Sequence, residues 1–176
     1  MAPLFSPNNP AGKIAYTVGH GDSLVKIAAK HKANAELIYR ANNLETINLR
    51  VGQHLLVPQL SVRITVDRKL NALLLYNQGE LFKEYRLMSV KTPGLSSAKP
   101  LETKVGDKIA LQGSNRVAFG DKNYPGADRW IMLATSGIAI RALPEGAAPP
   151  PGILVAPADL EEIFLLVSRG TPVTIN

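Results

Sequence analysis

The stretch A-D-L-E-E-I-F-L-L-V-S-R-G-T-P-V-T-I, Ala158 to Ile175, decides how the carboxy-terminal part of this chain folds. It predicts a helix from about Ala158 to Val167, a turn at Gly170 and a closing strand over Val173 to Ile175. Asp159, Glu161 and Glu162 lie at the start of that helix, where acidic side chains favour the dipole and cap the first turn. Just upstream stand G-I-A-I-R, Gly137 to Arg141, and P-P-P-G-I-L-V, Pro149 to Val155. Three consecutive prolines fix φ and remove backbone donors, so this segment is expected to be rigid and to fill or cover whatever lies beneath it.

Working outward, the chain from Ser61 is written in strands. V-R-I-T-V-D alternates, L-N-A-L-L-L-Y-N-Q-G-E-L-F-K-E-Y-R-L makes a hairpin about Asn77 to Gly79, and Trp130 to Leu133 begins another apolar run. Residues 91–100 and 112–128 are rich in Gly, Pro, Ser, Asn and Lys and read as loops. This part is mainly β and, at about 115 residues, large enough for a core of its own.

Residues 14–58 have a different grammar. Ile14, Tyr16 and Val18 alternate as in a half-buried strand, and G-H-G-D ends the run. Asp22 or Ser23 is placed to cap a helix carrying Leu24, Ile27 and Ala28. A second helix starts near Asn34, presents Leu37, Ile38 and Ala41, and ends at Asn42-Asn43. Gly52 then turns the chain into the strand Leu55 to Val57, stopped by Pro58.

Composition narrows the classes. The chain has 176 residues, 45% of them hydrophobic, with mean hydropathy +0.02, which describes a globular protein. No window holds the apolar run of about 18 residues that a membrane span needs, and the amino terminus has no apolar signal core. M-A-P-L-F-S-P-N-N-P-A-G reads as a linker, the appearance a chain shorn of an upstream targeting or anchoring segment would have. The net charge of +6 is spread over the chain: residues 1–60 hold six Lys/Arg against three Asp/Glu, the rest fourteen against eleven. Such a surplus favours loose attraction to anionic polymers but makes no basic stripe for nucleic acid. There is no cysteine, hence no disulfide or thiolate metal site, and the three histidines, His20, His31 and His54, lack ligand spacing.

Y-T-V-G-H-G-D-S-L, I-Y-R-A-N-N-L and L-R-V-G-Q-H-L-L-V-P, three ordered blocks, make residues 14–60 resemble the LysM module. That resemblance implies a βααβ unit binding N-acetylglucosamine-containing glycans such as peptidoglycan or chitin in a shallow groove. The groove would involve Gly21, Asp22, Ser23 and Leu24 on one side and Thr46, Ile47 and Asn48 on the other. Sugar N-acetyl and hydroxyl groups need polar partners beside a small apolar surface, which two such loops can supply. The bland alternative is that Asp22 and Ser23 only cap a helix and Ile47 only fills the core.

Residues 62–176 resemble the L,D-transpeptidase domain, a bacterial cell-wall enzyme in which G-I-H-G and S-H-G-C-I-R supply a histidine, a nucleophilic cysteine and an arginine. I-T-V-D-R-K-L-N-A-L-L-L-Y-N-Q-G-E-L-F-K-E-Y is similar to its opening hairpin, W-I-M-L-A-T-S-G-I-A-I to the strand entering the histidine motif, and the Ala158–Ile175 stretch to its ending. In that frame Arg141 stands at the histidine and Ala142 at the glycine after it. Counting back from Asp159 puts Gly152 at the cysteine and Leu154 at the arginine; aligning Gly152 with the family glycine puts Ile153 and Val155 there instead. K-P-L-E-T places Glu102 where T-P-T-G-x-F has its glycine.

The family reaction needs a low-pKa thiol and an imidazole that accepts and returns protons, and neither glycine nor isoleucine supplies them. Ser136 and Thr135 carry hydroxyls near the motif strand, yet no histidine stands in this half to activate them. Glu145, Asp159, Glu161 and Glu162 can be imagined as paired carboxylates for glycosidase-like work, though the helix start explains most of them. Arg141 is the candidate for new work: a guanidinium there could hold a peptide carboxylate, or be exposed or salt-bridged.

Together the resemblances imply an α+β protein of the cell envelope, periplasmic or extracellular and wall-associated. A linker over residues 1–13 precedes a LysM module over 14–60 and a mainly β, catalytically degenerate L,D-transpeptidase-like domain over 61–176 with one C-terminal helix. The implied partners are peptidoglycan or a related N-acetylglucosamine-containing glycan and a cell-wall enzyme, with no cofactor, metal, nucleic acid or membrane span. The leading reading is a non-catalytic binding protein or scaffold. Alternatives are a transpeptidase or carboxypeptidase with a non-standard nucleophile, and a regulator that binds a working transpeptidase or its substrate.

Overall fold

The computed structural model describes residues 12–93, 99–135, 137–146 and 148–176, and the chain divides into two compact units, Met1–Leu60 and Ser61–Asn176. The first contains strand β1 (Lys13–Thr17), helices α1 (Leu24–Lys30) and α2 (Ala35–Ala41), and strand β2 (His54–Pro58). β1 and β2 pair antiparallel from Lys13↔Pro58 to Thr17↔His54. Val18, Leu24, Ile27, Ala28, Leu37, Ile38, Leu55 and Val57 form the core. The expected alternation in the first strand holds only in part, because Val18 is buried past its end while Ile14 is 39% exposed.

Capping fixes both helices. Ser23, not Asp22, caps α1: its side chain accepts the Lys26 amide. Asn34 Oδ1 accepts the Glu36 and Leu37 amides at the start of α2. At the other end Asn42 does more than stop a helix. Its side-chain amide donates to the carbonyls of Ile38 and Leu56 while its Oδ1 accepts the Leu56 amide, so one side chain ties α2 to β2.

The second unit is mostly strand. It runs β3 (Val62–Asp67), β4 (Ala72–Asn77), β5 (Glu80–Arg86), β6 (Ser89–Lys91), β7 (Leu101–Gln112), β8 (Asn115–Val117), β9 (Asp128–Leu133), β10 (Ala139–Ala142), β11 (Gly152–Val155), α3 (Pro157–Leu166) and β12 (Pro172–Ile175). The sheet order is β5-β4-β3-β12-β7-β9-β10-β11-β6, with β8 on β7. β3–β12 and β10–β11 are parallel; the other pairs are antiparallel. The whole is an α+β fold, as the pattern of strands and one late helix predicts.

β7 turns the corner of this sheet. Its first residues pair with β12 and its later ones with β9, and the register shifts between Val105 and Asp107. Gly106 lies in that bulge, where a Cβ would come within 3.1 Å of the Ala134 amide nitrogen, so a side chain would block the approach of the next loop. Val105 N donates to Thr171 O and Gly170 N to Val105 O, each at 2.8 Å, which fastens the turn before β12 to the corner.

Several local expectations change. Residues 112–128, read as loop, contain β8, paired to β7 through a two-residue turn at Gly113-Ser114, and a turn of 3-10 helix at Tyr124–Gly126. The apolar run from Trp130 is two strands, β9 and β10, folded into a hairpin. No acidic side chain caps α3: Ala156 is its N-cap, Pro157 starts it, and Asp159 is in the first turn without a capping bond. Pro149 and Pro151 are exposed rather than filling the interior; what is buried is the strand that follows them. Among the described residues no helix is long and apolar enough to cross a membrane.

α3 packs on β9 and β10 through Leu160, Ile163, Phe164 and Leu166, all buried. Arg129 of β9 is buried against it, paired with Glu161 and stacked near Tyr124 and Phe164. Ile131, Ile140 and Ile153, successive neighbours across β9, β10 and β11, are fully buried on this side. The opposite side of the same strands carries Trp130, Arg141 and Gly152.

Candidate functional site

The first candidate site is the loop between β1 and α1. Gly21 has φ +75, and its carbonyl accepts Lys26 Nζ at 2.7 Å. Asp22 accepts the Tyr16 hydroxyl and the Gly19 amide, each at 2.8 Å. These two bonds, the amide first, hold its carboxyl below the ordinary aspartate range against some desolvation, with Lys30 and Lys26 adding to them. The same carboxylate pushes the Tyr16 hydroxyl up. Leu24 is 3% exposed, so its side chain belongs to the core and only its backbone faces the loop.

Across the unit Thr46, Ile47 and Asn48 are exposed, with the Asn48 amide bonded to Thr46 Oγ1 and Ile47 44% exposed. Ile47 therefore does not fill the core. The turn before β2 is tied to the end of β1 by Val18 N to Gln53 O and Gly52 N to Val18 O. Polar backbone and an exposed aliphatic side chain are what a sugar-binding surface needs.

The second candidate is the side of β9–β11 away from α3. Gly152, one of the two cysteine positions, has φ +133 and opens β11; a Cβ there would lie 2.9 Å from Ala139 O. A side chain cannot be added without moving backbone. Ile153, Leu154 and Val155 are each 0% exposed. Neither register thus places a side chain on the surface at the cysteine position. Glu102 on β7 accepts the Thr174 hydroxyl at 2.9 Å, and Thr135 donates to Thr103 Oγ1, so both are engaged in the sheet. Ser136 lies outside the described residues.

Arg141 is half-buried and has no salt bridge among the described residues. Its guanidinium carbon lies 3.7 Å from the centroid of the Trp130 ring, its directly opposed neighbour across β9–β10. Such stacking is worth about 1 kcal/mol at a half-exposed site. The indole is itself oriented by its Nε1–H, which donates to Asp128 Oδ2 at 2.8 Å. Arg141 Nε is buried and has no hydrogen-bond partner among the described residues. Lys91, opposite Gly152 across β6–β11, donates to Pro149 O at 3.0 Å.

The role of Trp130 is not readable as anything but an apolar strand residue until its neighbour is known, and the Tyr16–Asp22 pair also needs the fold. The one local signal was the D-x-W spacing, which puts Asp128 and Trp130 on one face of a strand. A hollow of about 450 Å³ elsewhere, edged by Arg63, Thr65, Tyr76 and Pro172, contains none of the residues singled out from sequence. Among the described residues no group of three or more His, Cys, Asp or Glu is disposed to hold a metal ion.

Residues 16–58 match the LysM domain family. The chain is similar in fold to solved L,D-transpeptidases. That from Stackebrandtia nassauensis is 13% identical with a TM-score of 0.48, over 81% of this chain and 63% of that one. One from Mycobacterium smegmatis is 10% identical with a TM-score of 0.46, over 94% and 91%. The Enterococcus faecium L,D-transpeptidase is 20% identical with a TM-score of 0.46, over 66% and 50%, so the chain spans about half the length of that protein. A comparison with curated proteins finds no match.

Proposed function

We propose that this is a non-catalytic peptidoglycan-binding protein of the cell envelope, which holds N-acetylglucosamine-containing glycan through residues 14–60 and uses residues 61–176 as a scaffold or second ligand-binding unit. The observation that carries the glycan reading is the LysM match over residues 16–58, supported by the half-buried loop at Gly21–Ser23 and the exposed one at Thr46–Asn48. Tyr16 and Asp22 keep the first loop in one conformation, so little ordering would oppose binding.

The non-catalytic half of the reading rests on chemistry. The chain has no cysteine, and its histidines end at His54, before the second unit begins. Acyl transfer of the L,D-transpeptidase type needs a thiolate and a base; without either, only binding and backbone donors remain, a loss of several orders of magnitude in rate. Thr135, the described hydroxyl nearest the motif strand, is occupied by Thr103.

Sedimentation with intact sacculi should remove the full chain from solution, and Ile47→Asp should leave most of it behind; equal pelleting of the two would remove the groove from the proposal. Incubation with tetrapeptide-containing muropeptides should leave their masses unchanged. New cross-linked or trimmed species, absent from a heat-inactivated control, would establish the enzyme reading instead.

A further inference from the structure

We propose that the solvent-facing side of β4, β3 and β12 binds a hexuronic acid residue of an anionic polysaccharide, with the pyranose against Tyr76 and its carboxylate on Arg63. Four of the five tyrosines are engaged within the fold: Tyr16 bonds Asp22, Lys83 lies over Tyr85, Phe119 and Arg129 pack on Tyr124, and Tyr39 is likewise held. Tyr76 differs. Half-buried at the edge of a hollow of about 450 Å³, its side chain has neither a ring contact nor a hydrogen bond among the described residues. An aromatic side chain open to a hollow offers a ligand an apolar body and a polar tip.

Strand register sets what surrounds that tyrosine. Ile64, Val66, Leu73, Leu75 and Val173 are buried on one side of these strands, so the residues alternating with them face the other. There Tyr76 is directly opposed to Arg63, and Pro172, itself opposed to Lys104 on β7, edges the same hollow. The next row across the sheet runs Glu84, Leu74, Thr65, Thr174 and Glu102. The two rows stand about 7 Å apart along the strands, and three strands span about 10 Å across, an area that suits a sugar residue. Because β3, β4 and β12 are interior strands with paired backbones, a ligand here meets side chains only. An extended peptide, which draws on the free backbone of a sheet edge, gains nothing from such a face.

Charge divides between the rows. The first carries the cations Arg63 and Lys104, both exposed, and no carboxylate; the second has a carboxylate at each end, where Glu102 accepts the Thr174 hydroxyl at 2.9 Å. Arg50 and Arg86 also lack a carboxylate partner among the described residues, so what distinguishes Arg63 is its place in the hollow beside Tyr76 and Thr65. A hexuronic acid has the matching division, a carboxylate on one edge of the ring and hydroxyls on the others. The carboxylate takes the guanidinium in a two-pronged bond, and the hydroxyls reach Thr65 and the acceptor Glu102. More highly charged anions, such as sugar phosphates, are opposed by Glu84 and Glu102. The site names a ligand for residues 61–176 and so rests on their proposed role as a second ligand-binding unit, yet it shares no residue with the loops at Gly21–Ser23 and Thr46–Asn48.

The full chain is titrated calorimetrically, at constant ionic strength, with the trisaccharides of galacturonic and glucuronic acid, their methyl esters, glucose 6-phosphate and tri-aspartate. At least one uronate should bind saturably, and at least tenfold more tightly than its ester, the sugar phosphate or the peptide. Arg63→Gln and Tyr76→Ala should each weaken that binding at least tenfold, with Arg63→Lys in between. Arg50→Gln, which removes the same charge in the first unit, and Ile47→Asp, aimed at the glycan groove, should leave it unchanged. Silence with both uronates, equal affinity for acid and ester, or tighter binding of the phosphate or the peptide would overturn the proposal. So would an equal loss in Arg50→Gln or Ile47→Asp. The acid–ester comparison is made on the unaltered protein, so it decides even where a variant fails to fold.

Discussion

Gly152→Ala should destabilise the second unit far more than its size suggests. Gly152 has φ +133, a region that side-chain-bearing residues occupy only under strain, for about 1–3 kcal/mol. The new methyl would also stand 2.9 Å from Ala139 O, a backbone atom of the adjacent parallel strand that cannot swing aside. Forcing such contacts typically adds about 1–3 kcal/mol. A total near 4 kcal/mol is a large share of the roughly 5–15 kcal/mol that holds a domain together. With a urea slope of about 1.5 kcal/mol per molar, the midpoint should fall by about 2.5 M. Urea unfolding followed by Trp130 emission measures this directly, because the single tryptophan lies in the second unit and the first contributes nothing to the signal. The control is Gly79→Ala in the β4–β5 turn: φ is +85 there too, but nothing lies within 4 Å of the added carbon. That variant should lose about 1–2 kcal/mol from backbone strain alone. Equal losses for the two would refute the reasoning, since the contact with Ala139 would then count for nothing.

In the first unit, Asn42→Ala removes the side chain that pairs with both backbone groups of Leu56, and should cost about 1–3 kcal/mol in thermal unfolding of that unit; a loss under 0.5 kcal/mol, on the order of a surface substitution, would show the bridge to be incidental. Asp22 has a folded-state pKa below its unfolded value, so its contribution is fully present above about pH 4 and is lost as pH falls through the lowered folded value. Tyr16→Phe deletes one of the two bonds responsible, and carboxyl 13C NMR should then show Asp22 titrating at higher pH; an unchanged or lower titration point would contradict the assigned cause. Ile153→Cys places a lone thiol in a cysteine-free chain at a position with 0% exposure, so a thiol reagent should modify it at least a hundredfold more slowly in the folded protein than in urea; reaction at the rate of a small-molecule thiol would show that this strand reaches solvent.

The sequence exposed its architecture best where a local signal agreed with the packing. The Ala158–Ile175 stretch yields α3 and β12 within a residue at each boundary, because a compact helix, a glycine turn and a β-branched strand leave little to compete. The Gln78-Gly79 turn reads equally well, having both residues at positive φ. β7 was hidden for the opposite reason. Its twelve residues, L-E-T-K-V-G-D-K-I-A-L-Q, have no sustained alternation, since a bulge at Gly106 changes the phase midway and the two halves face different partners. β8 is N-R-V, too short and polar to announce itself, and it exists because β7 offers it an edge.

The candidate sites divide along the same line. Ser23 as a cap follows from sequence, but Asp22 could have capped too; what separates them is the Tyr16 hydroxyl, six residues back in sequence and 2.8 Å away across the loop. For Arg141 the sequence left open an arginine holding a peptide carboxylate and one that is exposed or salt-bridged. Its stacking partner follows from register: Trp130 stands directly opposite it on β9, and strand pairing is invisible in a string of residues.

That register also bears on what a thiol would meet at Gly152 or Ile153, the two residues that the sequence resemblance sets against the family cysteine. At Gly152 the obstacle is backbone, a φ of +133 with a carbonyl oxygen where a Cβ would be. At Ile153 the obstacle is burial, since the side chain points to the α3 side with Ile131 and Ile140 and away from Trp130 and Arg141. A side chain at 152 would strain the strand pairing that one at 153 preserves, and a thiol at 153 would lie on the α3 side of the sheet, away from Trp130 and Arg141.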